Sequence, residues 1–294
     1  MSIIRKSEDL EIIVLRIFED FCKFGGEFYI ISPWIQNFSF SEGLSSEFGR
    51  EPSLYSILKR CSECQPNAIL KIITHSFGIK SEHHPTHAMK KAQELNTIIS
   101  ECSITKDIPS IFEFYLSLLK NFQEYSKFNN PWVLTSYHNF NDLIESAGNK
   151  DNYNRLVFDL VHGLGQVNFN LQYLNDLRKL LEIDNVKVML HNNFHAKIFL
   201  AGSSCVTGSS NWTFSGFVKN DEINLFFSKL DAQEEMAKIK ERCLELERQA
   251  AAVDSEKISF FIQLHKCLNF IYSSLFDWFV DNKCKLIRGV SEVS

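Results

Sequence analysis

A chain of 294 residues, 45% of them hydrophobic, holds enough apolar material for one large domain, or a domain with an appended module, built round a sizeable core. The formal net charge of −5 excludes a globally basic surface, so no overall electrostatic argument favours nucleic acid or an anionic membrane as a partner. Twenty-six Phe against 12 Gly and 6 Pro indicate dense packing and few structureless segments.

Residues 8–23 (EDLEIIVLRIFEDFCK) carry apolar positions at helical spacing, with acids early and Gly25-Gly26 as a stop. EFYIISPWI (27–35) is a continuous β-rich run ended by Pro33, and its two-sided apolarity suits a central strand covered on both faces. A helix over about 52–63 and a second buried strand, AILKIITHS (68–76), follow. Strand, helix and strand in that order form a crossover unit of a parallel or mixed sheet. From about 80 to 182 the pattern turns helical, in HAMKKAQELNTIISEC, IPSIFEFYLSLLKNFQEYSK and NYNRLVFDLVHGL. Strands then resume as VKVMLHNN (186–193), HAKIFLAG (195–202), SCVTGSSNW (204–212) and EINLFFS (222–228), so the helical stretch reads as an insertion.

The tail is helical. Within 232–254, Met236, Ile239, Cys243, Leu246, Ala250 and Val253 alternate by three and four, which suits a surface helix packed on its own domain or a dimer seam. The apolar region 258–280 is interrupted by Gln263, His265, Lys266, Asn269 and Asp277, and reads as a buried helix rather than a membrane span. The expected class is α/β: a mixed β-sheet flanked by helices, with a helical insertion and a helical C-terminal tail. The expected domains are an α/β catalytic domain from 1–81 and 182–230, an insertion over 82–181 and a C-terminal extension over 231–294.

The eight cysteines fall mostly in apolar or helical patterns, and the N-terminus carries acids before any apolar run. Reduced thiols and a cytoplasmic location are the expectation. Cys61-x-x-Cys64 with His83, His84 and His87 raises a zinc site. A strand separates the two pairs, however, and a solvated histidine-rich loop beside two reduced thiols is preferred. His191 is read as a strand-end polar residue and Trp34 as a core side chain.

The polar residues of 191–212 carry the chemistry. In a strand His195 and Lys197 share a face, and Thr207, Ser209 and Asn211 alternate likewise on the next, with Gly208 permitting close backbone approach. The following strand begins at Asn220, Asp221 and Glu222, offering a carboxylate to orient the imidazole. A neutral imidazole can attack phosphorus, and an ammonium and a carboxamide beside it can donate to charged oxygens. That set suits phosphoryl transfer without a metal and lacks the carboxylate cluster of a Mg²⁺ nuclease.

His195-x-Lys197, then Gly208-Ser209-Ser210-Asn211, then Glu222 eleven positions on, resembles the HKD motif of the phospholipase D superfamily. The resemblance covers about 186–228, and EFYIISPWI and AILKIIT look like that fold's earlier strands. It implies His195, Lys197, Asn211 and Glu222 as catalytic residues, Gly208 and Ser209 as substrate-binding, and neither metal nor cofactor. It also implies a two-histidine reaction through a phosphohistidine. With one motif in the chain, two copies would pair about a two-fold axis to share a pocket. The family's aspartate, five residues after the lysine, is Gly202 here. A nuclease acting on DNA without a membrane is the expected function, in a restriction or phage-defence setting with an ATPase or helicase partner. A phospholipase-type phosphodiesterase and an inactive interaction scaffold are the alternatives.

Overall fold

The computed structural model describes residues 2–4, 7–40, 48, 52–75, 97, 107–121, 136–191, 194–220 and 222–287. The chain divides into two units, Met1–Ser76 with Asn175–Ser255, and Phe77–Leu174 with Glu256–Ser294.

In the first unit the elements run β1 (Ser2–Ile4), α1 (Ser7–Phe24), β2 (Phe28–Ile31), α2 (Leu54–Cys64) and β3 (Leu70–His75). After the second unit's residues come β4 (Val186–His191), β5 (Ile198–Ala201), β6 (Ser204–Gly208) and β7 (Asn224–Ser228). A helix, which we label α6 (Gln233–Gln249), and β8 (Ala251–Ala252) complete the unit. Among the described residues the strands form one eight-stranded mixed sheet, ordered β1-β7-β6-β5-β2-β3-β4-β8. β2, β3 and β4 are parallel neighbours, with Phe28 opposite Leu70 and Leu70 opposite Val186. The remaining pairings are antiparallel.

β2 is buried along its whole length, as a strand covered on both faces must be. Tyr29 and Ile31 join Ile73, Met189, Ile198 and Leu200 in a core closed by Met236, Cys243 and Leu246 of α6. On the other face Phe28 stacks on Phe18 and meets Phe21 edge-on, both from α1, while Phe199 packs edge-on against Trp212. Helices therefore flank the sheet on both faces. A Tyr29–Lys71–Glu247 triad helps hold α6 down: Tyr29 Oη donates to Glu247 Oε2 (2.6 Å), and Lys71 Nζ donates to both (2.9 and 2.8 Å).

The second unit's described helices are α3 (Ile108–Asn121), α4 (Phe140–Ser146), most of α5 (Lys150–Leu180) and α7 (Ser255–Ile287). Aromatic contacts form its core. Tyr115 meets Tyr272 edge-on with their hydroxyls 3.3 Å apart, Phe140 meets Trp278, and Tyr153 Oη donates to Phe279 O at 2.8 Å.

Several expectations shift. The tail, read as one extension over 231–294, is divided, with α6 in the first unit and α7 from Glu256 onward in the second. The helical segment 87–102 lies outside the described residues except for Thr97, as do His83, His84 and His87. β1 and β8 had no sequence signal, being three and two residues long and below any periodicity window. β2 ends at Ile31, just before Pro33, which has no N–H to give the ladder; Ser32 N still donates to Ile73 O, and its hydroxyl donates to Trp34 O.

Candidate active site

Strand direction brings the polar residues to one edge. The carboxyl ends of the parallel strands β2, β3 and β4 lie beside the end of β6 and the starts of β5 and β7. Open α/β sheets bind ligands outside the carboxyl ends of their strands. On this edge sit Ser32 and Trp34 after β2, His75 at the end of β3, His191 at the end of β4, His195 and Lys197 before β5, Gly208-Asn211 after β6, and Glu222 before β7.

β5 begins at Ile198, so His195 and Lys197 precede the ladder instead of sitting in it. They still meet: Lys197 Nζ lies 2.9 Å from Nδ1 and 3.1 Å from Nε2 of His195, and donates to His195 O at 3.1 Å. The imidazole is exposed, whereas Lys197 is only 4% exposed. Burial holds the Lys197 ammonium below the ordinary lysine value, and the Glu222 carboxylate acts in the opposite direction. An exposed imidazole resting on a desolvated cation can present a ring nitrogen to an anionic group while the cation offsets that group's charge.

The main chain of Lys197 is pinned by Thr207 Oγ1 (2.8 Å) and Gly208 N (3.4 Å), both donating to its carbonyl. β6 ends at Gly208, which places Ser209 and Asn211 in the following turn rather than on the strand. Gly208 is there because β7 passes close: a Cβ would lie 2.3 Å from Ile223 O and 2.5 Å from Asn224 Oδ1. Ser209 is held to Ile223, its N donating to Ile223 O (3.1 Å) and its Oγ accepting from Ile223 N (3.0 Å). The serine therefore shapes the turn. Ser210 is clamped by Asn224, whose Nδ2 donates to Ser210 Oγ (2.8 Å) and whose Oδ1 accepts from Ser210 N (3.4 Å). Asn224 and Ser210 are buried; Ser210 lay within the quoted motif, whereas Asn224 did not stand out in the sequence. Beyond them Trp212 N donates to Ser32 Oγ at 2.9 Å, tying the turn to the end of β2.

Asn211 is half-buried within this frame. Gly216, in a five-residue π-helical turn at Ser215–Lys219, lets that turn close on it, since a Cβ would lie 2.5 Å from Asn211 O. Asn211 Oδ1 is buried with no hydrogen-bond partner among the described residues. Such groups are rare in native folds, and this one is open to a water or a ligand. A half-turn of the amide would bring an N–H to the same buried point. Glu222 accepts from Asn220 Nδ2 at 3.3 Å. Among the described residues the His195 ring is bonded to Lys197 and not to Glu222, so the carboxylate acts on the pair through Lys197.

Gly202 lies elsewhere. It is in the β5–β6 turn at the opposite edge of the sheet, five residues along from Lys197, or roughly 16 Å of extended chain. Its φ is +60°, its N donates to Glu27 O at 2.8 Å, and a Cβ would come within 2.8 Å of Gly25 O. The residue that departs from the motif is thus a turn residue, and its identity removes no group from the edge that holds His195.

Two further readings are sharpened. Trp34, expected in the core, is half-buried and stacks on His75 (centroids 6.4 Å, 8° between planes). His191 is buried at the end of β4, with Nε2 3.1 Å from Gln249 Oε1 and Phe194 edge-on to its ring.

The edge therefore pairs an exposed imidazole with a desolvated ammonium, a combination suited to work on anionic oxygens. The family model described as "Cardiolipin synthase, PLD-like domain" matches residues 117–244, which include β4 to β7 and every residue of the motif. Over that segment the chain is similar to the phospholipase D superfamily, as the motif implied. No curated protein and no solved structure matches it. In the described residues no helix is long and apolar enough to cross a membrane.

Proposed function

We propose that the chain is a nuclease that hydrolyses DNA through a phosphohistidine on His195, at a site shared by two copies of the chain. The observation that carries this reading is the exposed His195 imidazole resting on the buried Lys197 ammonium. In the proposed reaction a ring nitrogen of neutral His195 attacks phosphorus, and the bond to the leaving oxygen breaks. Lys197 and the Asn211 amide offset charge on the non-bridging oxygens. The leaving oxygen needs a proton, and one chain has one motif, so His195 of a second copy is assigned as the acid. That imidazole, now neutral, takes a proton from water, which attacks the phosphohistidine and frees the first His195. Glu222 supports the charge of Lys197, while Ser209 and Gly208 shape the turn that presents Asn211.

The single motif supports a nuclease over a lipid enzyme, as does the lack of a membrane-crossing helix among the described residues. The acidic net charge argues that DNA affinity comes partly from another protein, for which an ATPase or helicase in a cytoplasmic restriction or phage-defence system is the proposed candidate. A lipid phosphodiesterase is the second reading, favoured by the lipid-enzyme name carried by the matching family.

The test incubates purified chain with labelled DNA and, separately, with phosphatidylcholine or phosphatidylglycerol vesicles, all in EDTA. DNA cleavage that disappears in His195→Ala supports the nuclease, and lipid turnover supports the second reading. Silence on both substrates supports an inactive scaffold. Cleavage that EDTA abolishes contradicts the covalent-histidine route.

A further inference from the structure

Three cysteines converge at the edge opposite the candidate site. Cys22 lies in the last turn of α1, and Cys61 and Cys64 lie one turn apart at the end of α2. Cys22 Sγ is 3.7 Å from Cys61 Sγ, and the same thiol acts on Cys64. None of the three is in a disulfide. Cys22 and Cys64 are partly exposed, whereas Cys61 is buried. Gln65, the residue capping α2, donates from Nε2 to Cys22 O at 2.9 Å and so holds the two helix ends together.

We propose that Cys22 and Cys61 form an oxidative modification site, in which peroxide converts the pair to a disulfide joining α1 to α2. A disulfide needs its sulfurs about 2.05 Å apart, so the pair must close by about 1.7 Å. Of the pair, Cys22 is the thiol that solvent reaches. Its sulfur takes one oxygen from hydrogen peroxide, giving a sulfenic acid and one water. The Cys61 sulfur then attacks the Cys22 sulfur. The S–O bond breaks and hydroxide leaves, taking up the Cys61 proton as a second water. Two thiols and one peroxide thus yield one disulfide and two waters. Cys64 is the competing partner, drawn in where Cys61 is absent. The site lies at the amino ends of β2 and β3, so it is independent of the activity proposed for His195.

Reduced full-length chain is treated with hydrogen peroxide, alkylated, digested without reductant and mapped by mass spectrometry. Trypsin leaves Cys61 and Cys64 on one peptide, so a second digestion cutting after Glu63 separates them. The expected product is a peptide linking Cys22 to Cys61. Cys61→Ser diverts the link to Cys64, and Cys22→Ser lowers disulfide linkage of the α2 cysteines by about ten-fold. If Cys22→Ser does not fold by circular dichroism, Cys22→Ala replaces it. The proposal is overturned if Cys22 stays reduced, if it passes to sulfinic acid unlinked, or if Cys61 and Cys64 link equally with and without Cys22.

Discussion

Restoring the family's aspartate by Gly202→Asp should weaken this protein and leave its chemistry unchanged. The residue holds φ at +60°, where a side-chain-bearing residue costs about 1–2 kcal/mol. Its Cβ would also meet Gly25 O at 2.8 Å, a contact with backbone that a side-chain rotation cannot relieve. Forced contacts of this kind cost about 1–3 kcal/mol. Asp tolerates the left-handed region better than most residues, which puts the total at about 2–4 kcal/mol. Urea denaturation followed by far-ultraviolet circular dichroism measures that loss. Gly202→Ala carries the same Cβ without a side chain suited to that backbone, and should lose at least as much. The rate per folded molecule should not change, because position 202 lies roughly 16 Å of chain from Lys197. A Gly202→Asp protein as stable as the parent, or faster than it, would refute this account of the turn.

Three other substitutions probe the frame. Lys197→Met should cut turnover by about 10³-fold while leaving neutral-pH stability level or about 0.5–2 kcal/mol higher, because it removes a desolvated charge. The folded-state pKa of Lys197 is lowered, so the unfolded chain binds more protons between that value and 10.5, and stability from this group rises with pH across that window. The rise should be absent in the variant, as pH-dependent urea titrations will show. At Glu247 burial pushes the carboxyl up, but hydrogen bonds from Lys71 and Tyr29 outweigh it and hold the group below its usual 4.5. Its contribution is therefore present above that pH and lost as pH falls through the lowered value. Glu247→Gln should cost about 1–3 kcal/mol at pH 7, with the gap closing in acid. Asn224→Ala strips both partners from buried Ser210 and should cost about 1–3 kcal/mol, with a fall in turnover transmitted through Asn211.

The sheet was legible where burial sets a pattern. β2 is apolar on both faces and β3 is largely buried, and their crossover through α2 followed from the order of elements. β3 and β4, which lie either side of the segment where the sequence period changes, pair in parallel. The motif residues were legible because spacing alone brings His195 beside Lys197, even though the strand starts one residue later. What spacing could not give was the support. Asn224 looks like any strand residue until β7 is laid beside the turn after β6, and Ser32 until Trp212 reaches it. Gly202 shows the same limit: the sequence registers a missing acid, whereas φ and the approach of Gly25 are properties of the folded chain. The division of the tail was hidden too, since α6 and α7 both read as helices and differ in the unit they join.

The central claim is that His195 becomes covalently bonded to phosphorus. The most direct measurement mixes the chain with a short DNA substrate in EDTA, quenches in alkali to preserve phosphohistidine, and locates the adduct by mass spectrometry. An oligonucleotide phosphate on His195, lost in His195→Ala, is the expected result. Cleavage that proceeds with no adduct, or with the adduct on another residue such as Ser209, would contradict the account.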